Sequence, residues 1–429
     1  MRNTYEKIIL SIVVVFFAST IITPFARAYT PTPVELAQQS GYPVTWAYQP
    51  EGMINISQTG QILYEFQSEQ QWYPASMTKL MTMYLTLQAV KEKKLSLNDT
   101  VQITDQHYRM STLPELSNTK LYPGETYTVA ELLQITVSAS SNAAALILAN
   151  QVSDSTSDFV DKMNDTAKSL GMTHTHYVNP TGAENRLLLE FAPKKYQHES
   201  SSTSSARDYA ILAQHVVKDT PKILYFTKQI APTQHGVTYY TFNDLLEGGN
   251  MSLPGTDGLK TGSSDIADYN NSLTTKRGKF RIFHIIMGAG DYKHLGGEKQ
   301  RNMMSASAIN YTFSQYDYKK IVSKGKHKID GKSYYVTEDL YDVVPKDMSK
   351  PYHLVVKDSQ VHLDYPRKFI TKNDGPPTVK VENPLIYESK SVVVSSWHAF
   401  PILTSLAFLV IVLILAFILR RLLKLLFRK

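Results

Sequence analysis

Apolar residues recur along this chain in four patterns that predict most of its regular structure. Between residues 44 and 66, VTWAYQPEGMINISQTGQILYEF reads as a β-hairpin with Thr59-Gly60 at its turn. After it, Leu80, Met81, Met83, Tyr84, Leu85, Leu87 and Val90 leave a predicted helix almost no polar face, and such a helix is buried. Residues 128–170 have helical spacing, with Ser157 as a cap for SDFVDKMNDTAKSLGM and Gly171 as its stop. FRIFHIIMGAG (280–290) follows the Arg277-Gly278 turn and reads as a buried strand. Helices lying between early and late strands predict a sheet covered by helices.

Past residue 318, short runs rich in Val and Tyr (YYVT, YHLVV, VHLDY) alternate with Lys, Asp, Gly and Pro turns. This predicts a small β-rich domain over 318–386, following a larger domain over 29–317. A linker (387–399) with Trp397 placed for a membrane interface leads to Phe400–Leu419, an uncharged stretch long enough to span a bilayer. It has no polar face, unlike an interfacial helix. The tail over 420–429 carries Arg420, Arg421, Lys424, Arg428 and Lys429, and positive charge beside a span marks the cytoplasmic side. At the other end, Arg2 and Lys7 precede the apolar run Ile8–Ile22, and Ala26-Arg27-Ala28 follows. Residues 1–28 read as a secretory signal cleaved after Ala28, with an uncleaved anchor as the alternative. The mature protein is therefore expected outside the cell, held by its C-terminus.

Composition narrows the chemistry. Hydrophobic residues make up 43% and charged residues 19% of the 429, which are globular values. Without cysteine there is no thiol nucleophile, disulfide or thiolate metal site. The formal charge of +7 is accounted for by the tail and the leader, so no basic surplus remains to indicate nucleic-acid binding.

Candidate catalytic residues begin with YPASMTKLMT (73–82), which places Ser76 and Lys79 one turn apart at the start of the buried helix. A capping serine and a snorkelling lysine would explain this stretch in isolation. Two further stretches decide against that. TVSASSNAAALI holds Ser140-Ser141-Asn142 ahead of a helical run, and PGTDGLKTGSSDIADYN holds Lys260-Thr261-Gly262 at the end of an expected strand. In chain order these are S-x-x-K, S-x-N and K-T-G, the set shared by class A β-lactamases and penicillin-binding proteins.

The residue types suit acyl transfer. A serine hydroxyl needs a neighbouring base to become a nucleophile, and the unpaired N–H at a helix start can face a developing oxyanion. Burial and the second cation, Lys260, both disfavour the charged form of Lys79 and bring it towards a usable base. Ser140 is placed to relay a proton to the leaving nitrogen, and Asn142 to orient Lys79 and the substrate peptide. Thr261 and Lys260 suit a substrate carboxylate. Gly262 lets the strand backbone approach the substrate, and the N–H of Ser263 is the natural second oxyanion donor.

With these motifs the sequence resembles the low-molecular-mass penicillin-binding proteins of the serine D-alanyl-D-alanine carboxypeptidase type. PASMTKLMT and DGLKTG carry the resemblance, with NPTG (179–182), SARDYAIL (205–212) and Asn243 with Leu245-Leu246 in support; it runs from about residue 36 to 386. It implies an α/β fold: a penicillin-binding/β-lactamase-like transpeptidase domain (antiparallel sheet covered by helices plus a helical region), then a small all-β domain and a C-terminal transmembrane helix. The implied substrate is the peptidoglycan stem peptide ending in D-Ala-D-Ala, β-lactam antibiotics are the implied covalent inhibitors, and no cofactor or metal is expected. This chain departs from the family pattern at Ser141, Ala143, Ser263 and Asp268, and in the long segment 183–204.

Two rivals share the motifs. A class A-like β-lactamase would need a deacylating carboxylate, and Glu184, expected on an exposed loop, stands at about the right point without the companion asparagine. A non-catalytic wall-binding protein of the same fold would gain nothing from burying two lysines. His174-Thr175-His176 lacks the H-E-x-x-H spacing of a zinc peptidase, and alternation on a strand explains it.

Overall fold

A computed structural model of the chain describes residues 30–294, 296–385, 387 and 401–426. The expected signal at 1–28 and nearly all of the linker lie outside these residues. The centre of the molecule is a five-stranded antiparallel sheet. Its strands are β1 (Gly52–Ser57), β2 (Ile62–Phe66), β3 (Thr256–Ser264), β4 (Asp268–Arg277) and β5 (Phe280–Ala289), in the order β2-β1-β5-β4-β3. The early hairpin is thus joined to three late strands, and everything between residues 67 and 255 is inserted. The hairpin is shorter than its sequence pattern indicates, because Trp46–Tyr48 forms a turn of 3-10 helix instead of strand.

Helix α1 (Pro33–Gln39) packs with a later helix on one face of the sheet. The inserted segment supplies α2 (Lys79–Lys91), α3 (Val129–Ser138), α4 (Asn142–Val152), α5 (Thr156–Leu170) and α6 (Ala206–Asp219) on the other face. The later helix is α7 (Gly297–Gln315). As its sequence predicts, α2 is buried from Lys79 to Leu87 on every side. Helix α5 ends at Gly171 with φ +85, but its cap is Ser155, whose hydroxyl accepts from the Asp158 N–H. Ser157 lies inside the first turn.

The small β-rich region begins within one strand of α7. Strands β6 (Tyr316–Val322) and β9 (Leu340–Pro345) pair with each other. Strands β7 (Gly325–Ile329), β8 (Lys332–Val336), β10 (Leu354–Lys357), β11 (Gln360–Leu363) and β12 (Val379–Glu382) form a second antiparallel sheet in the order β7-β8-β12-β11-β10. Residues 365–374 then run back onto the first sheet. The Ile62 N–H donates to Lys368 O (2.9 Å) and the Ile370 N–H to Gly60 O (2.8 Å), while the Ile370 side chain enters the main core at 2% exposure. Arg367 makes a two-pronged pair with Asp342 (2.9 and 2.8 Å), and its Nη1 also donates to Gln61 Oε1 (3.1 Å). The final helix, Pro401–Leu426, continues past Leu419 through Arg420, Arg421 and Lys424, since none of these residues breaks a helix. Its apolar span is Ser405–Leu423.

The Arg367–Asp342 pair is nearly fully buried, at 5% and 0% side-chain exposure. Arg367→Ala leaves a buried carboxylate without its partner and is expected to cost about 3–5 kcal/mol in urea denaturation. Replacing both partners by apolar residues, Arg367→Met with Asp342→Leu, should recover most of that loss.

Candidate active site

Ser76 lies on a 3-10 turn, Ala75–Thr78, that runs directly into α2. Ala75 sits at φ +46, a region costly for a residue with a side chain, so the turn is held by its surroundings. One turn on, Lys79 is fully buried, and its Nζ lies 2.9 Å from Ser76 Oγ, 2.9 Å from Asn142 Oδ1 and 2.8 Å from Thr181 O. Each partner is itself fixed. Asn142 opens α4 behind the Ser141 cap, and its Nδ2 donates to Ser117 O (2.8 Å). The Asn118 side chain accepts from the Ala143 N–H (2.9 Å). Thr181 is locked by Asn179, whose Oδ1 accepts from the N–H of Thr181 (2.9 Å) and of Gly182 (2.8 Å).

The facing wall is β3. Lys260 is buried, with Nζ donating to Thr261 O at 2.9 Å, while Ser263 is exposed in the cleft. Beside the close approach to substrate expected from its sequence position, Gly262 meets a packing demand within the protein. A Cβ built there would lie 2.6 Å from Pro74 O, 2.9 Å from Met77 N and 3.1 Å from Ser76 N, so glycine lets the strand press against the turn that carries Ser76. Across the cleft Ser140 is held at φ +54. Asp268, at φ +52, occupies a conformation that glycine adopts freely and that Asp tolerates better than most residues.

Electrostatics tie the two walls together. Burial, and then the charge of Lys260, push the Lys79 ammonium well below the usual lysine range. Lys260 is itself lowered to about 7 by burial and by Arg301, with Glu298 opposing. Arg301 gave no signal in the sequence, where it reads as one more charge near the start of α7. The fold buries it (1% exposed), with hydrogen bonds to Asn270 O, Asn302 Oδ1 and Glu298 Oε1.

All eight residues expected from the motifs come together. Ser76 sits between two lobes of one cleft. One lobe, of about 390 Å³, is lined by Ser140, Thr261, Phe242, Tyr292 and Arg301; the other is lined by Asn142, Glu115, Glu184 and Leu187. Ser76 and Ser263 border both. Glu184 is not the exposed loop residue expected. It stands before a short helix, Asn185–Leu188, with its side chain 18% exposed, and takes hydrogen bonds from Arg186 on both oxygens (2.9 and 3.1 Å). Residues 174–176 form a turn with a single bridge from His176 to Thr203, not a strand, and His176 pairs with Glu199. Among the described residues no group of three metal-ligating side chains occurs.

A buried lysine touching a serine at a helix start, opposite a second buried lysine on a sheet edge, is the construction of the penicillin-binding class of serine peptidases. The chain belongs to the D-alanyl-D-alanine carboxypeptidase family, whose model matches residues 51–291. A second match, to a domain of unknown function, covers residues 318–382. Among curated proteins the chain is 32% identical to the D-alanyl-D-alanine carboxypeptidase DacF of Bacillus subtilis, over 69% of this chain and 72% of that one. Among solved structures it is similar to a peptidoglycan synthesis regulatory factor (PBP3) from Streptococcus pneumoniae, with a TM-score of 0.68, 29% identity, and 78% of this chain and 98% of that one covered. Penicillin-binding protein D2 from Listeria monocytogenes, in its cefotaxime-bound form, gives a TM-score of 0.51 at 27% identity, with coverage of 62% and 97%.

Two outcomes follow from this geometry. Gly262→Ala should lower the melting temperature and, in the folded protein, slow penicillin labelling at least about tenfold, because its methyl displaces the Ser76 turn. Lys260 should also give kcat/KM for a D-Ala-D-Ala peptide an alkaline limb near pH 7, read from a pH–rate profile of the free enzyme. The sign is that deprotonation above this value removes the positive charge facing a substrate carboxylate. Lys260→Arg, which keeps its charge, should move the limb upwards.

Proposed function

We propose that the protein is an extracytoplasmic serine D-alanyl-D-alanine carboxypeptidase that removes the terminal D-alanine of stem pentapeptides through an acyl-Ser76 intermediate. The observation that carries this reading is the set of atoms around Lys79 Nζ. Asn142 Oδ1 and Thr181 O can only accept hydrogen bonds, whereas Ser76 Oγ can also donate. A neutral amine has two hydrogens for the two acceptors and one lone pair for the serine proton. The site thus fits lysine in its basic form, with the lone pair aimed at the nucleophile.

In this mechanism Ser76 Oγ attacks the carbonyl carbon of the penultimate D-alanine as Lys79 takes its proton. The N–H groups of Ser76 and Ser263 receive the oxyanion. Ser140 relays the proton held by Lys79 to the leaving nitrogen, so the C–N bond breaks, D-alanine departs and Lys79 is neutral again. Water, deprotonated by Lys79, then attacks the ester, and its C–O bond breaks as Ser76 Oγ recovers that proton. Thr261 and Lys260 hold the terminal carboxylate, with the buried charge of Arg301 behind them. Penicillin enters as a cyclic amide and leaves a bulkier ester. The cefotaxime-bound relative supports β-lactam binding here. The Ser405–Leu423 span supports anchorage, with the catalytic region outside and the basic end in the cytoplasm.

One observation favours the β-lactamase alternative, namely that Glu184 lines the same cleft as Ser76. Against it, Arg186 engages both Glu184 oxygens, which leaves that carboxylate poorly placed to activate water.

Ser76→Ala should abolish labelling by fluorescent penicillin in a folded protein, and persistent labelling would overturn the assignment. Lys79→Arg should slow acylation by roughly 10² or more, the scale of a general base. Glu184→Gln should change neither D-alanine release nor penicillin turnover by more than a few-fold. A parent that turned over penicillin several times per second and lost this on Glu184→Gln would instead be a β-lactamase.

A further inference from the structure

The β7-β8-β12-β11-β10 sheet has one end from which the chain departs for the apolar helix. Tyr335 on β8 pairs with Glu382 on β12, and Val336 with Val381, so a chain leaving Glu382 runs towards Lys332 and the Asp330-Gly331 turn. Register places Lys328 beside Ser333 and Lys326 beside Tyr335. The second turn of the sheet, Asp358-Ser359, lies at the same end, since the Val381 N–H donates to Ser359 O (2.9 Å). Lys328, Lys332 and Lys357 are exposed there, against Asp330 and Asp358; Lys380 and Glu382 pair with each other. Two aromatic rings stack at the exit, Tyr335 on Tyr387, with centroids 3.5 Å apart and planes at 14°. Leu385 beside them is 76% exposed.

Lysines at one end of a sheet, with a tyrosine pair and an exposed leucine at the same end, form the composition that settles at a lipid headgroup layer. We propose that this exit end, through Lys328 and Lys332 with the Tyr335–Tyr387 stack and Leu385, docks on the anionic headgroups of the membrane that holds the C-terminal helix. The inference rests on the anchoring reading above. From Tyr387 to Pro401 the chain extends at most about 50 Å, so the tether permits contact without enforcing it. It also holds the patch at a high effective concentration beside the lipid, so weak attraction suffices. Docking would set the orientation of the catalytic cleft relative to the membrane.

The test uses the full chain in lipid nanodiscs, either phosphatidylcholine alone or with phosphatidylglycerol, each containing a headgroup nitroxide quencher. The chain has no cysteine, so Ser333→Cys takes a single fluorophore; Ser169→Cys, exposed near the end of α5, reports on the catalytic region. We expect quenching at 333 to be about twofold or more stronger in the anionic discs, with no such difference at 169. The difference should vanish in about 1 M salt, where screening acts within about 3 Å, and in the variant carrying Lys328→Glu and Lys332→Glu. Equal quenching at 333 in both lipids would overturn the proposal. So would equal quenching combined with lysine-dependent binding of soluble polyphosphate, which would assign the patch to a phosphate polymer instead. A chain that enters neither kind of disc would overturn the anchoring reading, and this inference with it.

Discussion

An ammonium group taken out of water is costly unless it finds a counter-charge or gives up its proton, and Lys79 is taken out of water completely. None of its three hydrogen-bonding partners is a carboxylate. The remaining route is loss of the proton, and much of the catalytic half is arranged so that this happens in one place. Helix α2 is apolar on all sides because its first turn must lie inside. The S-x-N segment enters the same interior to present Asn142, and the Asn179–Gly182 loop to present one carbonyl. Remove the burial and each of these loses its purpose.

The second lysine extends the constraint across the cleft. Lys260 is close enough for its charge to lower Lys79, and it is itself lowered by Arg301. A row of cations in a dry site cannot all stay charged, and burial with the neighbouring charge pushes both lysines towards their neutral forms while Arg301 keeps positive charge at the far end. That gradient matches a substrate with an amide beside Ser76 and a carboxylate one residue further on. Glu298, bonded to Arg301, moderates the field at the carboxylate end. A single buried electrostatic arrangement therefore fits both the basicity and the carboxylate recognition proposed above.

Those parts of the site whose chemistry requires particular residue types were legible in the sequence. Ser76, Lys79, Ser140, Asn142 and Lys260 sit in fixed short spacings, and the buried helix showed its lack of a polar face. The features that were not legible depend on contacts distant in the chain. Arg301 lies forty-one positions beyond Lys260 in a polar-looking turn, and only the packing of α7 on the sheet buries it. Glu184 is brought into the cleft by the fold of the long 183–204 segment, whose composition resembles a surface loop. Ser157 and Ser155 are equally good caps by type, and the choice between them depends on where the chain leaves α4. The packing role of Gly262 was hidden for the same reason, since a strand cannot show in its own sequence which distant turn it will press against.

The S-A-R-D-Y segment shows how local spacing and distant contact are joined. Ser205 caps α6 by accepting from the Asp208 N–H at 3.1 Å. Asp208, buried, accepts from the His174 N–H (2.8 Å) and the Thr175 hydroxyl (2.7 Å), and so holds the chain that leads into Asn179 and the Thr181 carbonyl. Arg207, between them, donates to Ile370 O at 2.7 Å, on the segment returning from the β-rich region. Two neighbouring residues on one helical turn thus fasten a loop that touches Lys79 and a segment whose next anchor is the buried Arg367–Asp342 pair. Rotation of the β-rich region about its junction would pull on the same turn of α6 that positions the Lys79 acceptor. The cleft and the β-rich region are thus joined through hydrogen bonds to one turn of α6.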